Sequence, residues 1–335
     1  MRNIFLSSTA VVLLAAVGTV QAATLDDYLI VGRYVNDTAV DTSNYELGKI
    51  SDLDAGNYEE VRDPGVGPSV GQSDDARIAI LDTSGTVKMS DVNVYGTGST
   101  GIDCAGSYNN CTDSGGNLSN TTYNGSAMND ANGVDGNVNM DELNATIDLA
   151  ATWVAGLSNT GSIATSDGKI TGDLTVNLSA GLNVLDFSGT NGNDVLVENG
   201  SLIFQGGADD YAVVLVDADS NFLTSNGNLV IGNGGIGLNN VVIVSQRQGT
   251  DANFGISNSY INGVALWDLG GDVQNNMSLD NVIGCTQLVG DDVDIQNVRL
   301  QQCAFNTSVI PIPAAAWLFG SGIAVLGWLR RKVTV

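Results

Sequence analysis

Short β-type runs separated by turn residues govern the second half of the chain. Runs such as Leu182–Phe187, Ala212–Val216 and Val241–Val244 are rich in Val, Ile, Leu and Phe, which favour strands. Pairs such as Asn199-Gly200 and Asn226-Gly227 stand between them. With 42 Gly and few long helix-forming stretches, the chain is predicted to be mainly β.

This rhythm is compatible with two architectures. A β-sandwich would pair the strands as hairpins, whereas a solenoid would stack each short strand on the next coil and bury a continuous ladder of aliphatic side chains. The spacing of the runs is irregular, so both architectures stay open on periodicity alone.

One amphipathic helix is predicted in the middle of the chain, over about 140–157. Asn139 can cap it, and Asp141 and Glu142 fall in its first turn, where the helix dipole favours acidic side chains. Apolar residues recur on one face at Leu143, Ile147, Ala150, Val154 and Leu157.

The order of these elements resembles the choice-of-anchor A domain of bacterial surface proteins. The resemblance rests on a strand-rich start, one helix, and later runs at Gly181–Asp186, Asn240–Val244 and Ile261–Leu266. It implies an irregular parallel β-helix, or solenoid-like body, with one helix along its side, covering residues 23–308. A β-sandwich is the alternative.

The first 22 residues have the layout of a signal peptide. Arg2 is followed by an apolar run from Val11 to Val20 and a small-residue cleavage site, so cleavage is expected between Ala22 and Ala23. This predicts processing by signal peptidase during export.

The last segment, residues 309–335, has the layout of a transmembrane helix followed by a basic anchor. The helix carries no charge from Ala314 to Leu329, and Arg330, Arg331 and Lys332 come directly after it. An ordinary C-terminal membrane anchor would show the same two parts.

Before that helix stands the motif Ile310-Pro311-Ile312-Pro313-Ala314, and the whole tail resembles the PEP-CTERM class of C-terminal sorting signals in its VPLPA variant. The resemblance implies a Gram-negative bacterium that makes extracellular polysaccharide. It also implies removal of the tail by a membrane exosortase, so that an inner-membrane precursor becomes a cell-surface or extracellular protein.

The charge of the body excludes nucleic acid as a partner. The chain has 12 Lys and Arg against 37 Asp and Glu, and four of the basic residues lie in the two terminal segments. The body therefore carries a formal charge of −29, which repels phosphate backbones.

The four cysteines are expected to form disulfides, Cys104 with Cys111 and Cys285 with Cys303, because each pair is close in sequence and export leads to an oxidising compartment. Three connectivities are open in principle. The first pair would hold a polar surface insertion over about 97–136.

The candidate cofactor is Ca²⁺. Oxygen-bearing residues at near-alternate positions lead into the helix and resemble an EF-hand or dockerin loop with one extra residue. A polar segment that caps the helix is the alternative interpretation. The candidate ligands are Asp130, Asn132, Asp135, Asn137, Asn139, Asp141 and Glu142.

Composition also limits catalysis, because the chain has no histidine. This excludes Ser-His-Asp and Cys-His mechanisms, and no catalytic residue is assigned. The sequence predicts a non-enzymatic exported protein with a structural or adhesive role in exopolysaccharide or biofilm. One alternative is a polysaccharide-active β-helix enzyme that uses paired carboxylates. The other is an ice- or surface-binding adhesin, for which a flat face of regularly spaced Thr is expected but is not visible in the runs.

Overall fold

The computed structural model describes residues 25–37, 46–47, 77–96, 98–188, 194–217, 220–231, 235–237, 239–245, 253–267 and 276–303. Most of them lie in short strands, so the protein is mainly β. The described residues also form two α-helices, α1 (Tyr108–Cys111) and α2 (Asp141–Ala155), and a 3₁₀ turn at Leu25–Asp27. In chain order the strands are β1 (Ile30–Gly32), β2 (Tyr34–Asp37), β3 (Glu46–Leu47), β4 (Ile78–Ile80), β5 (Thr86–Ser90), β6 (Asn93–Val94), β7 (Thr100–Cys104), β8 (Leu118–Ser119), β9 (Thr122–Tyr123), β10 (Ser126–Ala127), β11 (Gly133–Gly136), β12 (Gly161–Ala164), β13 (Lys169–Thr171), β14 (Leu174–Asn177), β15 (Leu182–Ser188), β16 (Val195–Glu198), β17 (Ser201–Gln205), β18 (Tyr211–Val216), β19 (Phe222–Ser225), β20 (Asn228–Ile231), β21 (Val241–Ser245), β22 (Phe254–Leu266), β23 (Asn276–Val289), β24 (Asp292–Gln296) and β25 (Arg299–Gln302).

The strands stack in parallel into a solenoid with three faces, and β22 and β23 are long enough to contribute to all three. Face 1 runs in the order β12, β15, β18, β21, β22, β23, β1, β4, β7, β11. Face 2 runs β13, β16, β19, β22, β23, β24, β2, β5, β8. Face 3 runs β14, β17, β20, β22, β23, β25, β3, β6, β9.

This architecture confirms the predicted parallel β-helix with one flanking helix. The β-sandwich alternative is wrong, because among the described strands only β9 and β10 pair in antiparallel fashion. In a sandwich, hairpin pairs of that kind would dominate.

The order of the strands along the chain differs from their order in the solenoid at one place. We call residues 25–136 the N-lobe and residues 161–303 the C-lobe. The last turn of the C-lobe stacks on the first turn of the N-lobe through the pairs β23–β1, β24–β2 and β25–β3, which we call the seam. The chain therefore starts in the middle of the solenoid, runs to one end, and resumes at the other.

Helix α2 makes the return connection and packs on the outside of face 1. Its fifteen residues span about 22 Å at 1.5 Å per residue, a length that crosses several coils about 4.8 Å apart. The predicted apolar face is confirmed, with Trp153 in addition, and Leu157 lies half-buried just after the helix. The helix residues buried there are Leu143, Ile147, Ala150, Trp153 and Val154.

The solenoid interior is filled by the inward side chains of all three faces. Within it, the rings of Phe222 and Phe254, from successive coils, are stacked with centroids 5.6 Å apart. The centroid of Phe254 also lies 5.3 Å from that of Trp267, which follows the same strand. Such pairs add to the apolar burial that holds neighbouring coils together.

The corner between face 2 and face 3 is turned by a single residue with positive φ. Asn, Asp and Gly tolerate this conformation best, because a short polar side chain can hydrogen-bond locally and Gly has no Cβ. The pairs Asn199-Gly200 and Asn226-Gly227 thus mark corners of the solenoid and not hairpins. The corner residues are Gly172, Asn199, Asn226, Asn258, Asn281, Asn297, Asp91 and Asn120.

Residues 98–136, within the segment predicted as a polar insertion, instead build the outer coils of the N-lobe. β7 pairs with β4, with Ile102 opposite Ile78, and β11 closes the stack on β7. The prediction of a surface insertion was wrong because the inward positions of this segment are few and are separated by polar turns, so no hydrophobic period is visible. Tyr123 and Val134 are two of these isolated inward residues.

Candidate functional site

Face 2 carries an uncovered array of outward side chains that can be followed from coil to coil. Its strands alternate buried and accessible positions, as in Val195–Glu198 and Phe222–Ser225. Because successive strands pair in parallel and in register, the outward side chains line up in rows along the solenoid axis.

Two neighbouring rows on face 2 contain a continuous uncharged region, which we call the face 2 patch. In the first row the register places Leu196, Leu223, Gly255 and Ser278 side by side, between Lys169 at one end and Asp294 at the other. In the second row Ser225 and Ser257 are neighbours, between Glu198 and Asp280. The patch therefore consists of Leu196, Leu223, Gly255, Ser278, Ser225 and Ser257.

The patch has the geometry of a regular grid. Coils repeat about every 4.8 Å, and alternate residues of one strand are about 6.6 Å apart, so the side chains form a nearly rectangular lattice. Ser225 and Ser278 are exposed, and Leu196, Leu223 and Ser257 are half-buried between their neighbours. A surface of this kind is shallow and suits contact with something flat and extended.

Hydrogen bonds along the edge of the patch hold its coils in position. The Asn221 side-chain nitrogen donates to Asp194 Oδ1 at 2.9 Å, and the backbone N–H of Asn253 donates to Asn221 Oδ1 at 2.6 Å. Because each bond joins one coil to the next, the spacing of the grid is fixed before any ligand arrives. Such preorganisation lowers the entropy cost of binding.

Sequence reasoning missed the patch. The signal was present in the alternating residues of four separate strands, but their alignment depends on the strand register. A row of regularly spaced Thr was the expected mark of a surface-binding face, and Leu, Gly and Ser occupy these positions instead.

A second group of polar residues, buried this time, lies at the seam side of the N-lobe. The hydroxyl of Tyr28 donates a hydrogen bond of 2.7 Å to Asp103, and the Arg77 guanidinium forms an ion pair with the same carboxylate while lying over the Tyr28 ring. Burial, reinforced by the charge of Asp103, raises the pKa of the Tyr28 hydroxyl far above its usual range. Burial opposes the charge of Arg77, but the combined effects of Asp103, Tyr28 and Asp27 outweigh it, and the pKa of Arg77 is raised. These contacts join the residue after the 3₁₀ turn to β7.

The residues predicted as calcium ligands do not form a loop. Gly133–Gly136 is strand β11, which places Asp135 on its outer surface, and the Asn132 side-chain nitrogen donates to the Ala127 carbonyl at 2.9 Å. Asn137 turns the chain at positive φ. Asp130, Asp141 and Glu142 are exposed.

The alternative interpretation of this segment, a polar stretch that caps the helix, matches one contact in particular. Asn139 Oδ1 accepts a hydrogen bond of 2.8 Å from the backbone N–H of Asp141 at the start of α2. The residue at the cap position itself is Met140, which forms no side-chain cap. Across the described residues, no three His, Cys, Asp or Glu side chains come together in a way that could hold a metal ion.

Both predicted disulfides are present. Cys104 is bonded to Cys111, which attaches α1 to β7, and Cys285 is bonded to Cys303, which ties the end of the C-lobe to β23. Their Cα separations are 6.3 Å and 5.2 Å. None of the four cysteines is free, so the thiol chemistry of a reactive cysteine is absent.

The predicted processing sites lie outside the described residues. These are the signal-peptide site at Ala22 and Ala23, the motif Ile310–Ala314, and the basic cluster Arg330–Lys332. Among the helices that are described, none is both long enough and apolar enough to cross a bilayer.

Comparison with known proteins gives similarity to solved structures only. No family model matches the chain, and no curated protein matches it. The structure is similar to an ice-binding protein from the Antarctic ascomycete Antarctomyces psychrotrophicus, with 12% identity, TM-score 0.44, and coverage of 84% of this chain and 97% of that one. It is similar to the ice-binding protein LeIBP from an Arctic yeast, with 12% identity, TM-score 0.43, and coverage of 84% and 93%. It is also similar to the DUF3494 domain of Shewanella frigidimarina ice-binding protein 1, with 12% identity, TM-score 0.44, and coverage of 85% and 98%.

Proposed function

We propose that this is an exported, non-enzymatic surface-binding protein that uses the face 2 patch to adsorb to an extended, uncharged surface, of which ice is the leading candidate. The observation that carries the proposal is the two-row grid of accessible, uncharged side chains on a rigid sheet. The chain has a formal charge of −25, and all six neighbouring positions of the patch are uncharged.

The chemistry of the patch favours a flat solid over a polysaccharide chain. Sugar rings are commonly held by aromatic side chains and by convergent polar groups in a groove. The patch has Leu, Gly and Ser on a plane, with no aromatic ring among its six residues. An adhesive role in extracellular polysaccharide is the competing proposal, and the same experiment decides between them.

The test compares one substitution on the patch with a matched one elsewhere. Ser278→Tyr places a bulky ring at the exposed end of the first row, where it stands above the plane of the grid, and Thr152→Tyr places the same ring on the exposed side of α2, away from face 2. Adsorption of labelled protein to ice, together with thermal hysteresis, is measured for the parent protein and both variants, and adsorption to acidic and neutral polysaccharides is measured in parallel.

We expect Ser278→Tyr to lower ice adsorption about tenfold, which corresponds to about 1.4 kcal/mol of lost contact, and Thr152→Tyr to leave it unchanged. Adsorption to polysaccharide but not to ice would replace ice with polysaccharide as the ligand. Equal adsorption by both variants would show that the patch is not the binding surface.

We further propose that the protein reaches the outside of a Gram-negative cell through the two terminal segments, with signal peptidase and an exosortase as processing partners. Two disulfides support an oxidising destination, and the tail motif at Ile310–Ala314 supports sorting. Mass spectrometry of the protein from culture fluid and membranes tests both ends. Secreted protein that retains the intact apolar C-terminus would contradict sorting by tail removal.

A further inference from the structure

The seam is built entirely from non-covalent contacts between parts of the chain that are distant in sequence. Three parallel strand pairs cross it, and Ile30 lies opposite Leu288 in the first of them. Arg33 Nε also lies 3.1 Å from Asp291 Oδ1, an ion pair that joins the N-lobe to the C-lobe. These contacts do not depend on the two lobes belonging to the same molecule.

The covalent structure leaves the lobes independent of each other. Cys104–Cys111 lies within the N-lobe and Cys285–Cys303 lies within the C-lobe, so neither disulfide crosses the seam. Each lobe is continuous in sequence, and residues 137–160, with α2 at their centre, are the covalent connection between them.

If the seam opens, each lobe exposes a row of strands whose N–H and C=O groups have no partner. Open parallel edges of this length pair readily with another strand edge. The edge that fits each of them in shape, register and charge is the one it has left, which a second copy of the chain also presents. Exchange of identical elements between copies is a low-cost route to dimers.

From this we infer that the seam is also a dimerisation interface: two copies of this chain exchange lobes, so that the C-lobe of each stacks on the N-lobe of the other. The residues on either side of α2 serve as the hinges, and Asn137, at positive φ, and Gly156, at the end of α2, stand at them. If the proposed surface binding holds, an exchanged dimer carries two face 2 patches, and simultaneous contact of both raises its avidity.

Strand register supplies a direct test with single-cysteine variants. On face 2, Tyr34 is opposite Asp292 across the seam, and Tyr34 is also opposite Thr86 within the N-lobe. Paired strands lie about 4.8 Å apart, which suits a disulfide. Since all four native cysteines are in disulfides, an introduced thiol is free to form the new bond.

Two mixtures are unfolded with native disulfides intact, refolded at high protein concentration, and oxidised gently. The first contains Tyr34→Cys and Asp292→Cys on separate chains, and the second contains Tyr34→Cys and Thr86→Cys on separate chains. Lobe exchange predicts a disulfide-linked heterodimer in the first mixture and none in the second, since the second pair lies within one lobe of one molecule.

The double variant Tyr34→Cys/Asp292→Cys on one chain verifies that the seam pair can form a disulfide at all. If that variant closes its internal bond while the first mixture gives no heterodimer, lobe exchange is refuted. Heterodimers in both mixtures would show random contact between copies and would refute it equally. Light scattering of the parent protein after the same refolding should show a dimer fraction alongside the monomer.

Discussion

The side-chain amide of Gln287 donates a hydrogen bond of 2.7 Å to the backbone carbonyl of Tyr28, a residue 259 positions earlier in the chain. The same nitrogen donates to the carbonyl of Leu25 at 2.6 Å. Gln287 is fully buried, and both carbonyls belong to the 3₁₀ turn and the residue after it, where no strand ladder supplies a donor. One side chain of the C-lobe thus satisfies the backbone of the segment that opens the N-lobe.

Replacement of Gln287 by Met should therefore destabilise the protein by about 1–3 kcal/mol, since Met keeps the length of the side chain but leaves the Tyr28 carbonyl without this donor and the Leu25 carbonyl with the Tyr28 N–H. Chemical denaturation of the variant measures the loss. Gln296→Met on face 2 is the matched control and should change the free energy of unfolding by less than about 0.5 kcal/mol. A small effect at Gln287 would mean that water reaches the 3₁₀ turn in the folded protein.

Tyr28→Phe removes the hydroxyl that Asp103 accepts from, and should cost about 1–2 kcal/mol at neutral pH. Arg77 remains as a partner of the carboxylate, so the cost should stay below that of leaving a buried charge unpaired. Equilibrium unfolding of the parent and the variant gives the difference.

The raised pKa of Tyr28 predicts that the stability of the folded protein depends on pH. Burial raises the pKa of Tyr28 above its ordinary value of about 10, so the folded protein holds the neutral hydroxyl longer than the unfolded chain does. The stabilisation is complete below about pH 10 and declines as the pH rises towards the folded-state pKa. Above pH 10 the Tyr28 hydroxyl of the unfolded chain loses its proton, which stabilises the unfolded chain relative to the folded protein. Above pH 10 the parent should lose stability more steeply than Tyr28→Phe, and parallel pH profiles would contradict the shift.

The corner residues with positive φ allow a test of backbone conformation. Asn258 has φ of 47° and its Oδ1 accepts a hydrogen bond of 2.9 Å from Asn281. Asn258→Ala should cost about 1–3 kcal/mol, because Ala meets the left-handed penalty and leaves Asn281 without its acceptor. Asn258→Gly loses only the hydrogen bond and should be clearly milder. Thermal unfolding of both variants, compared on one scale, separates the conformational cost from the polar one.

Local features of this fold were readable from the sequence, and long-range ones were not. The run Val241–Val244 predicts a buried strand because it is continuously apolar, and the structure buries it on face 1 between the solenoid interior and α2. The spacing of apolar residues from Leu143 to Val154 predicts the buried side of α2 for the same kind of reason. Both disulfides follow from proximity along the chain.

The seam could not be predicted, because nothing near Ile30 indicates that its partner strand lies at Leu288. Parallel pairing between strands so distant in sequence leaves no local periodicity. The face 2 patch could not be predicted for a related reason. Leu223 and Ser278 are each an ordinary accessible position in their own strands, and only the register places them in one grid. Where the register is set by distant contacts, the site it creates is not a property of any single segment.

The calcium hypothesis leads to a final prediction. In a working EF-hand-type loop the alternating oxygens converge on one ion, but here strand β11 directs alternate side chains to opposite sides, and Asn132 donates its side-chain amide to a backbone carbonyl. We therefore expect the same thermal midpoint with added Ca²⁺ and with a chelator. An ion bound at about one hundred times its Kd would stabilise the folded state by about 2.7 kcal/mol, and a shift of about 5 °C or more would follow for a body of this size. If such a shift appeared and Asp135→Asn abolished it, the segment from Asp130 to Glu142 would be a calcium site that closes only when the ion is bound.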